Sequence, residues 1–425
     1  MTAPLIEMPA WYGATEIAER RLTAESWVGA LLERVEEREP EIRAWACLDG
    51  EHALEAAREC DSRPRRSLLH GVPLGVKDII DTVELPTEYG SSIYRGYRPP
   101  ADAACVALLR SAEAFLLGKT VTTEFALLTP PETRHPEDPE STPGGSSSGS
   151  AAAVADKMVP LALGTQTAGS IIRPASFCGV VGYKPTFGLF SFSGIRHVAE
   201  SLDTLGGMAR CVRDVDLLRV ALAGREPIAA EGVRPGVVGL CRTPVWERTE
   251  EPMRAAIESA ARELENSGLR VVEAELPAVC GGLHQALVTI MGFEAVRTFA
   301  HDLTHHRDAL SPGLLALSDA GAGVDASEYD RAQRLAVECR RQVDGLLEEV
   351  DLLLTPAALG EAPRDRTQTG DFAANTLWTA LHTPCVTLPH FRGPRGLPLG
   401  IQLAARRGAD ARLLAHARWI EAAWT

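Results

Sequence analysis

The feature that most limits what this chain can fold into is a run of small residues, Gly144-Gly-Ser-Ser-Ser-Gly-Ser150. Five prolines precede it, Pro130, Pro131, Pro136, Pro139 and Pro143. By composition such a run is a flexible linker. A second reading is a cradle of backbone N–H groups that binds an anion ahead of a helix, although the Lys-Ser/Thr pair of a phosphate-binding loop is missing. A third is the strand-to-helix elbow of G-x-S-x-G, formally matched by Gly145, Ser147 and Gly149. That elbow needs a buried strand before it, where this chain has prolines. The residues beyond the run weaken the linker reading. Ala151 to Ala155 predicts a helix starting at once, Leu161 to Leu163 a buried strand, and Gly164 to Ser170 a second Gly-rich turn.

Successive small residues in that second turn let backbone N–H groups converge on one point, as an oxyanion hole requires. Ser170, at its rim, is placed to act as a nucleophile if a base can reach it. Eleven histidines are present, but none sits in a motif that singles it out. His70 reads as a core or edge histidine, and His301, His305 and His306 as a solvated helix face without the HExxH context of a zinc site. Lys77, in Gly71-Val-Pro-Leu-Gly-Val-Lys-Asp78, follows an apolar strand, where desolvation favours the neutral amine. Its competing reading is a surface lysine paired with Asp78 or Asp81.

The surrounding chain predicts alternating helices and strands. Helices are expected at 23–39, capped by Thr23, at 52–60, near 102–112, at 253–267 with Gly268 terminating it, and at 327–350. Strands are expected within 68–81, near 114–117, and at 237–241, 269–276 and 351–355. This pattern implies an α/β sheet covered by helices on both faces. There is no internal repeat and no clear interdomain linker, so 1–425 reads as a single domain. With 43 basic and 57 acidic residues the net charge is −14, and no basic patch offers a nucleic-acid surface. The nine cysteines are dispersed and lack a C-x-x-C pair, which argues against a disulfide framework or structural zinc and for a reducing compartment. Neither a signal peptide nor a membrane-length apolar run is evident, so the expectation is a cytoplasmic protein with no membrane partner.

Taken together, several segments resemble the amidase signature family. They are Gly144 to Ser150 with Ala151-Ala-Ala-Val154, Gly164-Thr-x-Thr-Ala-Gly-Ser-Ile-x-Arg-Pro174, Cys178-Gly-Val-Val-Gly-x-Lys-Pro-Thr186, and Gly-Val-x-Lys77-Asp-x-x-Asp81. The match is dense over about 70–190 and looser at Pro384 and Gly396-Leu-Pro-Leu-Gly400. Gln166, Ile171-Ile-Arg-Pro174, Asp78-Ile-Ile-Asp-Thr82 and Pro86-Thr-Glu-x-Gly90 look most like the malonamidase-type members.

The resemblance implies the amidase signature fold, a large twisted mixed β-sheet core between helices. It implies a triad in which Ser170 is the nucleophile, Ser146 the bridging serine after a cis peptide from Gly145, and Lys77 the base. The N–H groups of Thr167, Ala168, Gly169 and Ser170 are the implied oxyanion hole, and the chemistry calls for no metal or organic cofactor. Two positions depart from the commonest family pattern. Gln166 stands where many members have Asp, and Arg173 lies three residues after the nucleophile instead of two. Arg173 could clamp a substrate carboxylate or serve a structural role by bonding backbone carbonyls or a nearby acid. Thr165 and Gly145 join it as expected substrate contacts. The expected function is hydrolysis of a small-molecule carboxamide, malonamate-like in its carboxylate. A glutaminase subunit of a tRNA-dependent amidotransferase is the alternative, and a catalytically silent binding protein a third. A homodimer is an expectation that the resemblance carries.

Overall fold

A computed structural model of the chain describes residues 4–424. Its centre is one mixed sheet of eleven strands: β1 (Trp45–Leu48), β2 (Pro73–Lys77), β3 (Phe115–Thr120), β4 (Leu161–Gln166), β5 (Val181–Lys184), β6 (Thr204–Ala209), β7 (Val237–Leu240), β8 (Arg270–Glu273), β9 (Leu352–Pro356), β10 (Cys385–Arg392) and β11 (Pro398–Ala404). Across the sheet they run β1-β3-β2-β4-β6-β5-β10-β11-β9-β7-β8. β2 is parallel to both its neighbours, β3 and β4, and β7 is parallel to β8 and β9; the other pairs are antiparallel.

Every residue of β2 to β6 is buried. Successive side chains point to opposite faces, so full burial means that both faces are covered. Fourteen helices among the described residues supply the cover. Helix Ala24–Ile42 shows why they form. Thr23 Oγ1 accepts from Ser26 N at 3.1 Å, and Trp27, Val28, Leu31 and Val35 make a buried stripe at helical spacing. Helix Glu251–Asn266 ends as expected at Gly268, whose φ of +81° lets Leu269 N donate back to Leu264 O. Helix Ala326–Leu346 opens on a capping box made by Asp325 and Glu328.

Some boundaries differ from expectation. Gly164, Thr165 and Gln166 are strand residues, paired with Gly206, Leu205 and Thr204, so the second turn is confined to 167–171. The helix after the first Gly/Ser run begins at Ser148 rather than Ala151. Helix Leu283–Thr298 lies in a stretch apolar enough to span a membrane by composition. In the fold it packs against helices Pro312–Ala322, Ala326–Leu346 and Ala373–Ala380, which accounts for its apolar character.

Candidate active site

The parallel pairing of β2 with β4 sets Val76 opposite Leu163, so both strands present their C-terminal ends on one edge. Lys77, the last residue of β2, is fully buried there. Its Nζ lies 2.8 Å from Ser146 Oγ and 2.9 Å from Thr165 Oγ1. It makes no ion pair among the described residues. Asp78 turns to the buried Lys119 at 3.2 Å, and Asp81 accepts from Tyr89. The reading of Lys77 as a surface ion-pair partner is thereby corrected. Burial holds the Lys77 amine well below its ordinary pKa, opposed only by the nearby charge of Asp203.

The Gly/Ser run is not a linker but a buried loop stitched to β4. Gly144 takes a φ of +83°, and its missing Cβ leaves room for Pro174. The Gly145–Ser146 peptide is cis. Ser147 Oγ donates to Thr165 O, Ser148 Oγ to Gly144 O and Ser150 Oγ to Leu163 O. Only Ser146 keeps its hydroxyl for Lys77.

Beyond β4 the chain turns through 167–171 into helix Ile172–Cys178. Gln166 Oε1 accepts from the N–H groups of Ile171 and Ile172, and Gln166 Nε2 donates to Thr379 Oγ1. Thr379 Oγ1 in turn donates to Ala168 O, while Thr167 Oγ1 donates to Asp203 at 2.6 Å. The loop is thus pinned at three points. Its own amides are left over: the N–H groups of Thr167, Ala168, Gly169 and Ser170 have no acceptor among the described residues. Buried amides are rarely left so. Ser170 Oγ is also without a partner among them, and the residue is 9% exposed.

All four of these residues line a small pocket, together with Arg173. Its other wall is apolar: Ala126, Leu127, Leu128, Val198, Met291 and Phe372. Arg173 is buried, and burial lowers its pKa to about 10. Nη2 donates to Gly145 O at 2.7 Å and to Thr369 Oγ1 at 3.1 Å, whereas Nε and Nη1 are buried with no partner. The structural role foreseen for Arg173 is therefore present, and two donors remain. Thr165 and Gly145, expected as substrate contacts, lie elsewhere. Thr165 sits behind Lys77, and Gly145 has its carbonyl taken by Arg173.

A sequence model described as Amidase matches residues 26–414. The chain belongs to the amidase family. As an amidase it is a hydrolase of amide C–N bonds. A glutamyl-tRNA(Gln) amidotransferase subunit from Chloroflexus aggregans is 34% identical over 460 aligned residues, covering 94% of this chain and 93% of that one. The native peptide amidase of Stenotrophomonas maltophilia superposes with a TM-score of 0.86 at 30% identity, covering 99% of this chain and 98% of that one. The corresponding amidotransferase subunit of Thermotoga maritima gives 0.83 at 25%, covering 99% and 96%. The expectation of no nucleic-acid partner gains no support from relatives so named. Sequence reasoning missed the long-range partners of this amidase's site: Asp203, Thr369, Thr379, Met291 and Phe372. No motif marks them, because each is distant in sequence and reaches the site only through the fold.

Proposed function

We propose that this amidase cleaves a small carboxamide through an acyl-serine intermediate, with Ser170 as nucleophile, Ser146 as proton bridge and Lys77 as base. Neutral Lys77 Nζ accepts the proton of Ser146 while Ser146 accepts that of Ser170. Ser170 Oγ attacks the amide carbon, and the negative oxygen that develops takes the free N–H groups of Thr167 to Ser170. Ser146 then returns a proton to the leaving nitrogen, the C–N bond breaks, and water releases the acyl group by the same steps. The observation that carries this reading is the row of four unshared amides beside an unshared serine hydroxyl, with a desolvated amine behind it. Replacing Ser170 by Ala is expected to abolish turnover with the melting temperature unchanged. Hydrolysis surviving in S170A rules the mechanism out.

The acyl group we infer is short, apolar along one side and carboxylate-bearing, as malonamate is. The buried charge of Arg173 and its unpartnered Nη1 support this, since a carboxylate oxygen accepts a charge-assisted hydrogen bond from a guanidinium. Ammonia release from malonamate should exceed that from neutral amides of equal size, with S170A as the blank. A preference for the neutral amides assigns Arg173 to the loop alone. The names of the similar amidotransferase subunits favour a second reading, a glutaminase working in an assembly. Release of ammonia from glutamine only after co-purification with other subunits selects it. The nine free thiols suit a reducing cytoplasm.

A further inference from the structure

Asp203 is buried immediately before β6, and Thr204 pairs with Gln166 at the end of β4. The sheet register therefore sets Asp203 beside the first residue of the oxyanion loop. Its Oδ1 accepts from Thr167 Oγ1 at 2.6 Å. Its Oδ2 accepts from Val198 N at 2.8 Å and Ala199 N at 3.1 Å, and lies 2.9 Å from His197 Nδ1. No lysine or arginine pairs with Asp203 among the described residues; His197 is its one ionisable hydrogen-bond partner. The imidazole is fixed in turn, stacked on Phe192 with ring centroids 4.5 Å apart.

We propose that His197 is a positioning residue for the oxyanion hole, acting through Asp203 on the Thr167 hydroxyl and hence on the Thr167 amide. The inference deepens the acyl-serine reading above and rests on it. A carboxylate that accepts from Nδ1–H of a stacked ring is held in plane, and it then offers Thr167 a fixed acceptor. Without the imidazole, Oδ2 keeps two backbone donors but loses the side-chain donor that sets its rotation. The Thr167 hydroxyl then has a less firmly held acceptor, and its N–H is less well preorganised toward the developing oxyanion. Burial lowers and Asp203 raises the imidazole's proton affinity, with a net upward shift, so the pair tightens as the medium becomes mildly acidic.

The experiment follows covalent labelling of Ser170 by a fluorophosphonate, whose phosphoryl oxygen takes the place of the oxyanion and which needs no knowledge of the substrate. Rates are measured for the wild-type protein and for H197F, H197N, T167V, H197F/T167V and S170A. Phenylalanine keeps the stack on Phe192 and removes the donor, whereas the Asn amide nitrogen stands close to the position of Nδ1. H197F is expected to label about tenfold more slowly, short of the 100-fold typical of deleting an oxyanion donor outright. H197N should recover to within about threefold of wild type, a rescue that mere loss of packing does not give. In the T167V background, where the link to Asp203 is already cut, H197F should cost little more. Equal labelling of H197F and wild type overturns the inference while leaving the mechanism standing. So does a full additive loss in H197F/T167V, which also covers the case in which H197F is simply less well folded. Wild-type protein that fails to label, or S170A that labels equally, overturns the acyl-serine reading itself.

Discussion

At the level of single residues, the proposed chemistry turns on a lysine deprived of water and, among the described residues, of any carboxylate contact. Because burial lowers the Lys77 pKa, the neutral base is available below the range of a free lysine, roughly pH 10.4. The hydrolysis rate should therefore rise with pH and level off well before that value. A profile flat from mildly acidic to alkaline pH removes Lys77 as the base. Arg173 makes a separate prediction. In R173Q one arm still reaches toward Gly145 O, but the charge and the unpartnered Nη1 donor are gone. The ratio of kcat/KM for malonamate over a neutral amide of the same size should fall by about 30-fold or more, as expected for a buried charge that loses its partner. Using the ratio cancels any damage to the loop common to both substrates.

At the level of elements, the loop 167–171 works because a strand, a helix and a distant helix clamp it. Gln166 is the central clamp, so Q166A leaves the N–H groups of Ile171 and Ile172 without an acceptor and Thr379 without a donor. We expect kcat to fall by about tenfold or more while KM changes little, and stability to drop by about 2 kcal/mol, both read on the same sample by kinetics and denaturation. The sequence showed some of this and hid the rest for physical reasons. The helices at 24–42, 251–266 and 326–346 were legible because Thr23, Gly268 and an amphipathic stripe mark them. β5, β6, β10 and β11 went unread. A strand such as Thr204–Ala209, TLGGMA, is buried on both faces and so carries no alternation. Ser170 and Lys77 stood out as a candidate nucleophile and a desolvated amine, whereas Ser146 and the roles of all three came from the resemblance; from composition alone the Gly/Ser run was a linker and Lys77 a surface charge. Asp203, Thr369 and Thr379 were illegible because they lie far along the chain from the residues they bond, and only the fold brings them to Thr167, Arg173 and Ala168.

Across the whole molecule, a buried lysine whose pKa is held down is a burden on folding, and its pH dependence has a definite sign. Above about pH 10.4 the side chain is neutral in both folded and unfolded chains. As pH falls from there, the unfolded chain takes up a proton that the folded protein refuses until its own lower pKa is reached, so the folded state loses ground. K77M, expected to be inactive under the proposed mechanism, should escape this. Its melting temperature relative to wild type should climb as the pH is lowered from 10 toward 7. A difference constant over that range means that Lys77 is protonated in the folded protein. Any fixed offset reports instead the stranded hydroxyls of Ser146 and Thr165.

The pocket has two walls of different origin. The reacting groups hang from β2, β4 and the loops stitched to them, where nearly every side chain is locked by a hydrogen bond. The apolar wall comes from Leu127, Leu128, Val198, Met291 and Phe372, which lie on other segments of the chain. Drift at those five positions can reshape what enters while the proton-handling groups stay put. A laboratory library confined to them is thus a route to new acyl preferences on an unchanged engine.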